Sequence, residues 1–161
     1  MNKKLKIYLD TSVINFLFAD DAPDLQKVTI DFFENYLTKF DVFISQIVIN
    51  EIDKTGNPDK RNKLIEALKH YNLVLYEEIN PTIIELANKY ISMKIFPPRK
   101  FEDALHLAFS TYFEFDILLS WNYKHLANIN IQEKVNSLNL SLGYRKLLLL
   151  FNPMGVVYEN E

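Results

Sequence analysis

Carboxylates are the main chemical resource of this 161-residue chain, because the other common reactive sets cannot be written in its sequence. It has no cysteine, which removes disulfides, thiolate metal sites and thiol nucleophiles and suits a reducing compartment. Gly56, Gly143 and Gly155 stand apart from one another, so neither a dinucleotide fingerprint nor a phosphate-cradling loop exists. His70, His106 and His125 are too dispersed for a His-Glu-x-x-His helix, and there is no Gly-x-Ser-x-Gly elbow. Four polar positions stand out by their address. Asp10 follows an apolar run, Glu51 lies within Ile-Val-Ile-Asn-Glu-Ile, Asp103 opens the most apolar segment, and Asn122 follows a second apolar run.

Each has an ordinary reading beside a chemical one. Asp10, with Thr11 and Ser12 behind it, suits a helix N-cap, a role compatible with a functional one. Glu51, on a helix starting at Gln46, falls one turn from Ile47 and near Val48, on the side expected to be buried. A carboxylate there needs a partner or a metal, unless it reaches solvent at the helix end. Asp103 suits the first turn of a helix, where the dipole favours an acid. The stripe of Phe101, Ala104, Leu105, Ala108, Phe109 and Tyr112 puts Asp103 on roughly the opposite face, and Glu102 competes with it. Asn122 is also a good turn residue. His106 and His125 read as surface or packing residues, and Asp116 begins its strand and so lies at the wrong edge of a sheet. Lys54, Lys60, Arg61 and Lys63, with Lys94, Arg99 and Lys100, flank Glu51 and Asp103, as solvated faces often do. Carboxylates crowded together raise one another's pKa unless a divalent cation neutralises them. Magnesium prefers oxygen ligands and keeps waters, one of which can attack a phosphodiester.

The elements that must position these residues follow from the periodicity. Strands are expected at 5–9, 42–44, 73–76, 116–120 and 147–151. Helices are expected at 11–18, 24–40, 46–53 with Ser45 as cap, 59–71, 81–93, 99–115, 123–128 and weakly at 131–140. The Ile-Val-Ile within 46–53 would also suit a strand. Strands alternating with helices imply right-handed crossovers and a mostly parallel sheet covered on both faces, an α/β/α three-layer sandwich. The length suits one domain over residues 1–161. At 48% hydrophobic and 24% charged residues, the composition is that of ordinary globular proteins. The net charge of −3 and pI near 5.7 do not mark a nucleic-acid binder, so any such role rests on local basic patches and metal ions. No apolar run is long enough to span a bilayer and no signal-peptide core follows the basic N-terminus, so no membrane partner and a cytoplasmic location are expected.

Tyr8-Leu9-Asp10-Thr11-Ser12-Val13-Ile14, Ile49-Asn50-Glu51-Ile52, Phe101 to Ala108 and Leu118 to Asn128 resemble the successive motifs of PIN-domain proteins, in order and approximate spacing. The nearest branch is the VapC-like toxins of toxin–antitoxin pairs. The resemblance implies a PIN-like fold and a Mg2+- or Mn2+-dependent endoribonuclease. Asp10, Glu51 and Asp103 match its three acidic metal-binding and catalytic positions, and Thr11 or Ser12 matches its hydroxyl position. Asn122 stands where many members carry a fourth acid; an amide brings no charge, which weakens a second metal. The implied partners are an RNA substrate, a small antitoxin whose tail occupies the active-site groove, and a second copy in a homodimer. The alternative is a PIN-like module that no longer cuts and serves RNA binding or protein interaction. A haloacid dehalogenase-type phosphatase would need an acid where Ser12 stands.

Overall fold

Apolar residues that alternate in orientation along short strands set the layers of this protein, whose computed structural model describes residues 3–122 and 124–157. Strands β1 (Lys6–Leu9), β2 (Asp41–Ile44), β3 (Val74–Leu75), β4 (Ile117–Leu119) and β5 (Leu149–Phe151) form one all-parallel sheet in the order β3-β2-β1-β4-β5. In β1, Ile7 and Leu9 face one side while Tyr8 faces the other; in β4, Ile117 and Leu119 oppose Leu118 in the same way. All of these are buried, as parallel strands covered on both faces must be.

Helices α1 (Thr11–Asn15), α2 (Pro23–Asp31) and α4 (Pro58–His70) cover the first face, and α5 (Pro81–Ser92), α6 (Phe101–Tyr112) and α7 (Ile129–Ser141) cover the second. Helix α3 (Gln46–Asp53) straddles both, placing Ile47 in one core and Val48 and Ile52 in the other. The three-layer α/β/α sandwich is therefore the observed fold. Side chains of Ser45, Asn57, Asn80 and Asn128 cap α3, α4, α5 and α7. The expected 24–40 helix is one helical run that changes winding, from α2 to a π turn at Phe32–Tyr36 and a 3-10 turn at Leu37–Lys39. The wider turn accompanies the burial of both adjacent rings, Phe32 and Phe33.

Other boundaries differ from expectation. A 3-10 turn at Pro98–Lys100 delays α6 to Phe101. Of the helix expected at 123–128, Tyr123 lies outside the described residues, and 124–128 form turns in which Leu126 and Ala127 N–H donate to the Asn122 carbonyl. Edge strand β5 is closed by α7: the outward N–H groups of Leu148 and Leu150 donate to the Asn136 and Gln132 side chains, at 3.0 and 2.8 Å. Such pairing satisfies an edge that would otherwise recruit another strand. Among the described residues no helix is long and apolar enough to cross a membrane.

Chain order reverses at β1, with β2 and β3 on one side and β4 and β5 on the other. In open α/β sheets that reversal opens a crevice at the carboxyl ends of the two strands, here β1 and β4.

Candidate functional site

Asp10 leaves β1 at this crevice and is 4% exposed. It occupies the position before α1 in extended conformation, yet its side chain makes no cap hydrogen bond, which corrects the capping expectation. Its Oδ1 accepts from the Ser12 hydroxyl and its Oδ2 from the Ser120 hydroxyl, each at 2.5 Å. Ser12 Oγ in turn accepts from the Trp121 N–H and Ser120 Oγ from the Asn122 N–H, both at 2.9 Å. The first turn after β1 and the end of β4 are thus laced together around one carboxylate. Burial pushes the Asp10 carboxyl up, and repulsion from Asp103 adds to this, while His106 and the two serines pull it down.

Asp103 sits in the first turn of α6. The stripe that put it opposite the core misjudged this helix, which is buried on nearly every side, with His106, Leu107, Ser110 and Thr111 enclosed as well as Ala104, Ala108 and Phe109. A helix wedged between a sheet and α5 has no single outward face. Burial raises the Asp103 carboxyl and Glu51 raises it further, against the pull of His106, Lys100 and His125. Asn122 Nδ2 lies 3.4 Å from Asp103 Oδ2, and its Oδ1 accepts from the His125 N–H at 3.1 Å. The amide therefore serves both as turn cap and as a long-range donor to the acid. Glu102 points elsewhere, half-exposed and paired with Lys54 at 3.1 Å, and Asp116 lies at the opposite sheet edge, where it binds Lys146 and the Lys6 N–H.

Glu51, on α3, is three-quarters buried, and its Oε1 meets His106 Nε2 at 2.5 Å. His106 is 2% exposed and its Nδ1 lies 2.5 Å from the Tyr8 hydroxyl, which is 2.7 Å from Ser45 Oγ. Ser45 caps α3 through the Ile47 N–H. The polar path thus closes on itself, from the start of α3 through β1 and α6 back to Glu51 on α3. Burial opposes the Glu51 charge, but His106 outweighs it and the carboxyl lies below its ordinary value. Burial likewise opposes the His106 charge, and Glu51, Asp10 and Asp103 together lift its pKa. Reading His106 as a packing residue missed this role. Two signals point to it: His106 stands one helical turn after Asp103, and a histidine inside an apolar helix needs polar partners. Tyr8 and Ser120, in apolar strand segments, carry the same signal.

The donor set suits a hard divalent cation. Its groups are oxygens, burial destabilises Asp10 and Asp103 as anions, with repulsion from Asp103 added at Asp10 and from Glu51 at Asp103, and the buried Thr11 hydroxyl stands beside Glu51, whose charge it helps hold. Among the described residues no three acid or histidine side chains already stand in ligating geometry, so an ion would have to draw them inward. No family model and no curated protein matches the chain.

Proposed function

We propose that the protein is a metal-dependent endoribonuclease of the PIN type, hydrolysing RNA phosphodiester bonds with Mg2+ or Mn2+ held by Asp10, Glu51 and Asp103. The observation that carries this reading is that three acids, Asp10 after β1, Glu51 on α3 and Asp103 on α6, all act on the one buried His106, with Asp10 and Asp103 raised by burial and each further by a neighbouring acid. A bound ion would supply an activated water and stabilise charge on the phosphoryl oxygens. The chain's own residues do the rest. Ser12 and Ser120 fix Asp10, Asn122 steadies Asp103, and Lys54, Lys100 and His125, which act electrically on Glu51 and Asp103, draw the RNA backbone toward an otherwise acidic protein. The motif resemblance extends this to the toxin of a toxin–antitoxin pair, a homodimer with a small antitoxin, working in the cytoplasm.

The test is cleavage of a structured RNA by purified protein with Mn2+ or Mg2+ and with chelator. Cleavage that requires the metal and falls about 100-fold or more in Asp103→Asn is the expected result. Metal-independent cleavage, or none, contradicts it. A second reading, a non-cutting RNA-binding or protein-interaction module, is favoured by one observation: His106 already satisfies a Glu51 oxygen. RNA binding unaffected by metal and by Asp103→Asn would support it.

A further inference from the structure

We propose that His106 is a positioning residue, which fixes the Glu51 carboxylate toward Asp10 and Asp103 through the closed path Ser45–Tyr8–His106–Glu51. This rests on the reading of the three acids as metal ligands. Glu51 has a flexible side chain on a short helix, and a carboxylate left to its own rotamers would spend much of its time away from the crevice. The imidazole removes that freedom from both ends. Its Nε2 holds Glu51 Oε1, leaving Oε2 for an ion, while its Nδ1 is anchored by Tyr8, whose ring is wholly buried against Phe109 and Phe115. Tyr8 is held in turn by Ser45, which caps the helix carrying Glu51. Every link is buried or partly buried, so water competes weakly with it. Hydrogen-bonded partners of metal-binding carboxylates govern affinity in this manner.

The two amide replacements separate positioning from packing. In His106→Gln the side-chain nitrogen reaches the place of Nε2 and can still donate to Glu51; in His106→Asn the amide reaches only the place of Nδ1, keeping Tyr8 and releasing Glu51. Isothermal titration with Mn2+ is expected to show binding weakened about 10-fold or more in His106→Asn and by only about threefold in His106→Gln, which keeps the Glu51 bond and gives up the Tyr8 anchor. RNA cleavage by His106→Asn should show a lowered kcat with unchanged KM, recovered by raising Mn2+. Should His106→Asn fail to fold, Tyr8→Phe, which keeps the buried ring and frees Nδ1, is expected to weaken Mn2+ binding in the same direction. Folded His106→Asn with unaltered Mn2+ affinity, equal losses in the Asn and Gln variants, or an unaffected Tyr8→Phe overturns the proposal. If the unsubstituted protein takes up no Mn2+, the metal reading itself fails, and the positioning is judged in the metal-free protein. There the His106 Nε2–H proton should give an exchange-protected, downfield NMR signal that moves in Glu51→Gln, and a signal absent or unmoved rejects it.

Discussion

Asp103 answers to opposing influences. The first turn of α6 favours an anion, as do His106, Lys100 and His125, whereas burial and Glu51 disfavour one; the carboxyl lies above its ordinary value, with burial the largest cause. Asp103→Asn should therefore stabilise the metal-free protein, by about 1 kcal/mol or some 2–4 °C in Tm, as read by calorimetry in chelator. A lowered Tm would mean that the dipole matters more. Asn122 gives a paired expectation, because its Oδ1 holds the turn while its Nδ2 approaches Asp103. Asn122→Asp keeps the acceptor and exchanges the donor for a charge, so an NMR titration should find the Asp103 carboxyl raised further; Asn122→Ala should cost about 1 kcal/mol through the lost turn bond. The strand-end rule pointed to Asp10 and Asn122, and the expected buried side of α3 pointed to Glu51, whereas spacing put Asp103 on the wrong face of α6 and only the motif resemblance singled it out. His106, Tyr8, Ser45 and Ser120 were not legible, since their importance lies in what they touch across the chain, and spacing along one element does not reveal a partner on another.

Helix α6 is tied to its neighbours by two buried polar groups at different levels. Near its start His106 joins it to β1 and α3; near its end Thr111 meets Tyr90 of α5 and Asn139 of α7 in a closed triangle of 2.6 to 3.1 Å. The triangle lies about two turns of α6 beyond Asp103 and joins α5, α6 and α7. Asn139→Ala is expected to destabilise by about 1–3 kcal/mol, because it removes two of the triangle's three bonds and leaves the buried Tyr90 and Thr111 hydroxyls only each other, with metal binding unchanged; urea unfolding alongside Mn2+ titration checks both. Strand and helix positions were readable from periodicity and caps, most clearly Ser45 before α3 and Asn80-Pro81 before α5. The face of α6 was not, because a helix enclosed by sheet and helices carries apolar residues all round, and a stripe drawn on it has no unique direction.

The parallel sheet with its reversal at β1 brings residues 10, 51, 103 and 122 to one edge across more than a hundred positions. Such an arrangement has a pH signature. Glu51 lies below and His106 above its ordinary value, so their pairing stabilises most between the unfolded values of 4.5 and 6.5. It is lost on the acid side as pH falls through the folded Glu51 pKa, and on the basic side as pH rises through that of His106. Asp10 and Asp103, raised from 3.8, bind more protons folded than unfolded, so their contribution also declines as pH rises. Metal-free Tm should thus fall above about pH 6.5, and a Tm that climbs there would show these shifts to be misassigned. The parallel sandwich was readable from alternating elements, but the tight polar contacts at its edge depend on side-chain reach that only the folded chain defines. The most direct test of the whole account is calorimetric titration of Mn2+ into the unsubstituted protein, Asp10→Asn and Asp103→Asn at neutral pH. The account predicts saturable binding by the unsubstituted protein that is lost in both variants while each remains folded; absence of binding, or binding that survives both substitutions, would contradict it.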